Sequence, residues 1–238
     1  MNPVKEIQLL LQQSVNIPKE KATYFFKTGV GDYAAGDQFI GVKVPTIRAI
    51  AKQFSSLPLA DIQQLLASPI NEERLLALVI LTNQYKKADA PNKEKIYQFY
   101  LDNMHHVNNW NLVDSSAHLI IGAHIFKNKQ SSLLIQLAQS KTMWERRIAI
   151  VATWYFIRNN DLTSTFAIAL ILLNDTHDLI HKAVGWMLRE AGERDQNALV
   201  TFLDLHASSM PRTMLRYAIE KFPEDIRKSY LLQKNKQP

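Results

Sequence analysis

The stretch Trp144-Glu145-Arg146-Arg147-Ile148-Ala149 places basic residues shortly before an alanine, within a pattern of helical spacing. Similar stretches recur along the chain: Glu73-Arg74-Leu75-Leu76-Ala77, Ile180-His181-Lys182-Ala183-Val184 and Met214-Leu215-Arg216-Tyr217-Ala218. With Ala117 included, the alanines are about 32 to 40 residues apart, which is the range of helical-hairpin repeats. Stacked hairpins bury one face of each helix against the neighbouring repeat. The sequence therefore predicts an all-α helical-repeat solenoid that forms a single domain over residues 1–238.

The composition fits a helical protein with a substantial core. Of 238 residues, 47% are hydrophobic and only seven are glycine, which argues against a turn-rich β fold. The chain has no cysteine, which excludes disulfides, thiolate catalysis and cysteine-ligated zinc and fits a reducing cytoplasm. The N-terminus lacks the apolar run of a signal peptide, and no apolar stretch is long enough to cross a bilayer. We expect a soluble, cytoplasmic monomer that makes no membrane contact.

The apolar periodicity predicts the first helices and the loop between them. Helices are expected over 3–13, from Lys19 to Phe26, from Pro45 onward, and over 58–67, 72–86 and 92–103. Lys27 to Gln38 is the most glycine-dense stretch of the chain, and it is predicted to be a loop that serves either as a connector or in function. The polar tail, 233–238, is predicted to fray.

The formal net charge of +6 suggests a polyanionic partner if the charge gathers on one face. Lys182, Trp186 and Arg189 fall at i, i+4 and i+7, and Arg212 and Arg216 form a similar pair. Stacked in register, such helices would line a concave basic groove that follows a phosphate backbone. In the alternative interpretation, the tryptophans belong to the core and the basic residues are ordinary solvated charges.

The segment Asn109-Trp110-Asn111-Leu112-Val113-Asp114 places an indole and a carboxylate one helical turn apart on one face. A carboxylate beside an aromatic face suits a cationic, sugar-like group. The structural alternative is that Trp110 belongs to the core and Asp114 is a surface cap or ion-pair partner.

Three motifs resemble those of the AlkD-type DNA alkylation repair family: Trp110-Asn111-Leu112-Val113-Asp114, Met143 to Ile150, and Lys182 to Glu190. Phe39 to Pro45 and Leu215 to Ile219 are similar too, so the resemblance spans most of the chain in the family's order. It implies a HEAT-like solenoid that excises N3- and N7-alkylated purines from double-stranded DNA without metal or cofactor.

By this resemblance Asp114 is the catalytic carboxylate, Arg147 lies at the DNA backbone, and Trp110 and Trp186 are the aromatic walls. The residues expected to contact DNA are Tyr24, Lys43, Arg48, Lys182, Arg189, Arg212 and Arg216. An alkylated purine of this kind is already cationic and leaves without a general acid. Positive charge then develops on the deoxyribose, where one carboxylate stabilises it. The family is thought to act on a stacked lesion, whereas most enzymes that work on bases extrude them.

By the same resemblance, the Lys27 to Gln38 loop looks longer than in the best-matched glycosylases. Relatives with added elements bind branched DNA without clear glycosylase activity, so a non-catalytic binder of damaged or branched DNA is the alternative function. A third alternative is a protein-binding scaffold. The histidines, including His105, His106 and His118, have no third ligand at a suitable spacing, so no metal site is predicted.

Overall fold

The structure, a computed structural model, describes residues 2–232 except for the side chains of Lys19, Ala22 and Phe25. The tail that was predicted to fray, 233–238, lies outside the described residues. The α-helices are α1 Pro3–Gln13, α2 Lys19–Phe26, α3 Val44–Gln53, α4 Leu59–Leu66, α5 Asn71–Lys87, α6 Ala90–Asp102, α7 Trp110–Ala117, α8 Ala123–Asn128, α9 Ser132–Ala138, α10 Met143–Arg158, α11 Thr163–Ile171, α12 Asp178–Arg194, α13 Gln196–His206, α14 Arg212–Ala218 and α15 Glu224–Leu232. A 3₁₀ turn, Met104–His106, precedes α7, and a π-helical turn, His118–Gly122, follows it.

Helix starts follow the local chemistry of the sequence. Asn2 caps α1 through a 2.9 Å hydrogen bond from the Val4 amide, and Pro3 occupies the first turn, where its missing N–H costs nothing. Asp89 caps α6 in the same way, accepting from the Asn92 amide at 3.0 Å. The helices predicted for the first 103 residues are confirmed, with ends within a few residues of those expected.

The chain divides into two compact units, Met1–Ile120 and Ile121–Pro238. In the first unit α5 is the central helix, and α1, α3, α4, α6 and α7 pack against it. Its first turns are buried although they carry charges: Glu72, Glu73 and Arg74 are each at most 5% exposed. Buried charges need paired or hydrogen-bonded partners, so the N-terminal end of α5 is a polar centre within an apolar unit.

In the second unit α10, α12 and α14 pack in succession, with α9, α11 and α13 alongside them. Two glycines allow close helix contacts. A Cβ on Gly122 would lie 2.2 Å from the Ala152 carbonyl oxygen, and one on Gly185 would lie 2.5 Å from the Met214 carbonyl oxygen. Gly122 and Gly185 are separated along the chain by about two of the predicted repeats. Stacked helical hairpins are expected to repeat such helix contacts.

The structure confirms the predicted all-α helical-repeat fold. The described residues form helices joined by turns and irregular loops, and the β-type pairing among them is an isolated bridge between Gln38 and Ile70. None of the helices described has the length and apolar character needed to cross a membrane. The single domain over residues 1–238 and the concave groove stay predictions.

Candidate active site

Helix α7 carries the indole and the carboxylate singled out in the sequence. Its N-cap is Asn109, whose side-chain oxygen accepts from the Trp110 amide at 2.8 Å. Trp110 and Asp114 both lie in the helix, so they share one face one turn apart, and both side chains are half-buried. The predicted spacing of indole and carboxylate is therefore present in the structure.

Trp110 belongs to a stack of three aromatic rings. Its indole stacks on Phe26 at a centroid distance of 5.1 Å, and Phe26 stacks on Phe39 at 4.3 Å, with interplanar angles of 16° and 19°. Phe26 ends α2, and Phe39 follows the glycine-rich loop. Residues on both sides of that loop thus belong to the stack that includes the Trp110 ring.

An apolar cavity of about 680 Å³ lies in the first unit beside this stack. Its lining combines the three aromatic rings with aliphatic side chains from α3 and α5 and with two lysines: Ile17, Lys21, Tyr24, Phe26, Phe39, Gly41, Val42, Lys43, Val44, Pro45, Ile47, Asn71, Glu72, Leu75, Trp110 and Asn111. The predicted DNA-contacting residues Tyr24 and Lys43 are brought together here with Trp110, and Tyr24 is 88% exposed. The described lining does not include Asp114.

The buried carboxylate of Glu72 fixes the segment that forms one wall of this cavity. It accepts hydrogen bonds from the backbone amides of Gly41 at 2.8 Å, Ile40 at 3.2 Å and Val42 at 3.4 Å. Gly41 has φ +90°, and a Cβ there would lie 2.1 Å from the Ile17 carbonyl oxygen, so only glycine fits. Lys43 follows directly and is exposed.

In the second unit, Arg147 and Trp186 lie on adjacent packed helices, α10 and α12. Arg147 is 5% exposed, and its Nη1 donates to the Leu179 carbonyl at the start of α12 at 2.5 Å. Trp186 is half-buried, and its Nε1 donates to Oε1 of Glu190 at 3.0 Å. Both predicted residues are therefore held in place within the unit.

The remaining predicted cations have different surroundings. Lys182 forms an ion pair of 2.7 Å with Asp178, and this hydrogen bond lowers the pKa of the Asp178 carboxyl. Arg189 pairs with Glu190 at 3.5 Å and with Glu220. Three more predicted residues complete the set: Arg212, which donates to the Leu231 carbonyl at 2.5 Å, and Arg48 and Arg216, which are exposed. Lys182 and Arg189 thus already have carboxylate partners.

Burial lowers the pKa of His106, and the positive charges of His105 and Arg74 lower it further. The ring centroids of His105 and His106 are 3.9 Å apart. No group of three His, Asp or Glu side chains within residues 2–232 is arranged to hold a metal ion.

Sequence reasoning missed two sets of site residues. Glu190 accepts from the indole nitrogens of both Trp186 and Trp154, and its spacing of four from Trp186 was the available signal. A second set joins the loop, α5 and α7 through side-chain hydrogen bonds: Asp37, Asn71, Arg74, Asn109 and Asn111. The only signal in the sequence for this second set was the pair of asparagines that flank Trp110.

The family model described as DNA alkylation repair enzyme matches residues 8–222. Among solved structures, the chain is similar to one described as "Predicted DNA alkylation repair enzyme from Enterococcus faecalis", with a TM-score of 0.67 and 13% sequence identity. The similarity covers 87% of this chain and 95% of that one. A comparison with curated proteins gave no match. The match over nearly the whole chain shows that this protein belongs to the DNA alkylation repair enzyme family.

Proposed function

We propose that the protein is a DNA glycosylase that excises cationic N3- and N7-alkylated purines from duplex DNA, acting as a monomer. The observation that carries the proposal is the placement of Trp110 and Asp114 one turn apart on the same face of α7. An indole face and a carboxylate together suit a sugar that becomes positively charged.

The proposed reaction breaks the glycosidic bond, and its electron pair goes to the alkylated purine, which leaves as a neutral base. The deoxyribose is left as an oxocarbenium-like cation, as in other glycosyl transfers. The Asp114 carboxylate stabilises this charge and orients a water molecule. The water oxygen bonds to the anomeric carbon and its proton is lost to the carboxylate or to solvent, leaving an abasic site. No proton has to be supplied to the leaving base, so one carboxylate is sufficient.

The aromatic side chains and Arg147 are proposed to hold the nucleotide. Trp110, stacked on Phe26, and Trp186, fixed by Glu190, present their faces to the sugar. Arg147, which the Leu179 carbonyl holds at the start of α12, is assigned to a neighbouring phosphate.

The remaining predicted cations are proposed to bind the DNA backbone. Tyr24 and Lys43 border the same cavity as Trp110, which supports their assignment to the nucleotides that flank the lesion. Arg48 and Arg216 are exposed and reach phosphates directly. Arg212, Lys182 and Arg189 are also assigned to the phosphates, and Lys182 and Arg189 exchange a carboxylate partner for a phosphate on binding.

Chromatography of the bases released from methylated duplex DNA tests the proposal. We expect 7-methylguanine and 3-methyladenine to be released above the spontaneous rate, with unmodified bases retained. Salt-dependent DNA binding without base release would instead support the alternative function, a non-catalytic binder of damaged or branched DNA. The absence of salt-dependent binding would exclude both DNA functions and leave the protein-binding scaffold.

A further inference from the structure

The glycine-rich loop ends in a carboxylate that is buried among polar side chains. Asp37 has a side chain only 8% exposed, and its Oδ1 lies 2.6 Å from Nη2 of Arg74 on α5. Its Oδ2 accepts from the side-chain amides of Asn71 at 3.1 Å and Asn109 at 2.8 Å. The carboxylate is thus bound by three groups, two at the start of α5 and one at the start of α7.

The bond to Asn109 connects the loop to the helix that carries the site. Asn109 is fully buried and is the N-cap of α7, and its oxygen accepts from the Trp110 amide while its nitrogen donates to Asp37. Two residues further, Asn111 donates to the side-chain oxygen of Asn71 at 2.7 Å. The first turn of α7 is therefore held to the loop and to α5 by side-chain amides on both sides of Trp110.

Such a connection fixes the direction of α7. A helix end that is capped but not held from outside is free to shift, and a shift of about 1 Å at a reacting centre lowers a rate by about 100-fold. A carboxylate that accepts hydrogen bonds from two buried side-chain amides favours one arrangement of the segments that carry them. Trp110 and Asp114 are placed by this one helix, so a shift at its N-terminus would move both.

We propose that Asp37 is a positioning residue that acts through Asn109 to hold α7, and with it Trp110 and Asp114, in the working orientation. The consequence for catalysis rests on the proposed function, whereas the effect on orientation does not. The glycine-rich loop thereby acquires a role, which is to deliver Asp37 to the start of α7.

The first test follows the surroundings of Trp110 through the ¹⁹F NMR resonances of protein labelled with 5-fluorotryptophan. The four tryptophans give four resonances, and Trp110→Phe assigns the one of interest. Asp37→Asn removes the carboxylate, and Asn109→Ser keeps a capping oxygen but loses the amide that donates to Asp37. In both variants we expect the Trp110 resonance to shift or split and the resonances of the other three tryptophans to stay in place.

The matched control is Asp89→Ala, which removes another aspartate at a helix N-terminus of the same unit, the cap of α6. We expect Asp89→Ala to lower the melting temperature but to leave the Trp110 resonance unchanged. An unchanged Trp110 resonance in Asn109→Ser overturns the inference, whether or not Asp37→Asn folds. Because this measurement needs no DNA, it decides the inference even if the wild type excises no base.

The second test measures excision of 7-methylguanine with protein in excess over DNA. We expect Asp37→Asn and Asn109→Ser each to lower the saturated rate by about 10- to 100-fold and to change the Kd for DNA by less than about threefold. The double variant should be no slower than the slower single variant, because both substitutions break one connection. Rate losses that multiply in the double variant, or a loss of similar size in Asp89→Ala, would contradict positioning through Asn109. A wild type that excises no base would refute the proposed function, a separate outcome from either of these.

Discussion

The indole nitrogen of Trp186 donates a hydrogen bond to Oε1 of Glu190, 3.0 Å away and one turn further along α12. The second carboxylate oxygen of Glu190 accepts from the indole of Trp154 at 3.2 Å, and the two indoles meet edge to face with centroids 5.0 Å apart. Trp186 is therefore held both by the Glu190 carboxylate at its N–H and by the ring of Trp154, which the same carboxylate binds. The face of the Trp186 ring is the part assigned to the sugar in the proposed reaction.

Replacement of Glu190 should affect both stability and excision. In Glu190→Leu the two indole N–H groups lose their acceptor, and we expect the free energy of unfolding to fall by about 1–3 kcal/mol. The excision rate should fall as well, since Trp186 is no longer held. Urea unfolding and single-turnover excision measure the two effects. The control Glu193→Leu, at an exposed position of the same helix, should change the free energy of unfolding by less than about 0.5 kcal/mol. Equal effects of the two substitutions would contradict the role of Glu190.

Two glycines of α12 should differ in how much stability they lose when replaced by alanine. In Gly185→Ala the new methyl group meets the Met214 carbonyl and the Tyr217 Cβ, each at 2.5 Å, so α12 and α14 must separate. We expect a loss of about 1–3 kcal/mol in unfolding free energy. In Gly192→Ala the nearest atom, at 2.3 Å, is Cδ2 at the end of the Leu199 side chain, with Leu199 Cβ at 3.2 Å, so we expect a smaller loss, partly offset by the better helix propensity of alanine. Thermal denaturation of both variants checks this order, and the reverse order would be inconsistent with the helix contact described.

The stability of the second unit should depend on pH through His177. This residue is the N-cap of α12, and its Nδ1 accepts from the Leu179 amide at 3.1 Å, which requires a neutral ring nitrogen. Burial lowers the pKa of His177 below its ordinary 6.5; Arg146 and His181 act in the same direction, and Asp175 and Asp178 oppose them.

Because the folded state binds the proton more weakly than the unfolded state, stability should fall as the pH drops from 6.5 toward the lowered pKa. Urea unfolding at pH 7.5 and pH 5.5 measures this fall. His177→Asn keeps a capping acceptor that does not titrate and should show a smaller fall over the same range. An equal fall in wild type and variant would assign the pH dependence to other groups.

The cations assigned to DNA phosphates should appear in the salt dependence of binding. Arg216→Ala should reduce the slope of log K against log salt concentration by about one and weaken binding to methylated and unmethylated duplexes alike. The matched control, Lys228→Ala, removes an exposed charge that is paired with Glu224 at 2.7 Å, and its slope should equal that of the wild type. Fluorescence anisotropy at several salt concentrations gives both slopes. An unchanged slope in Arg216→Ala would remove this residue from the DNA-binding surface.

Local pattern was sufficient to predict the helices and the spacing within them. Pro45, the glycines between Lys27 and Gln38, and the apolar periodicity marked where helices begin and end. Trp110 and Asp114 share a face because four residues make about one turn, a property of the helix and not of its surroundings.

Contacts between distant segments were beyond sequence reasoning. Asp37 and Asn109 are 72 residues apart, and nothing in either local pattern indicates that a loop carboxylate bonds to a helix cap. The burial of Glu72 was equally unforeseen, because a carboxylate at the start of a helix is usually a solvated charge and its acceptance of three backbone amides depends on the fold of a distant segment. The sequence thus identified the side chains proposed for the chemistry but not the groups that hold them in place.

The most direct test of the central claim is the single-turnover release of 7-methylguanine from a duplex with one lesion, by wild type and by Asp114→Asn. We expect the wild type to release the base well above the spontaneous rate and to leave an abasic site. Asp114→Asn should bind the duplex with a similar Kd but release the base about 100- to 1000-fold more slowly, because the stabilising charge is gone. Equal rates for the two proteins, or no release by the wild type above the spontaneous rate, would contradict the account.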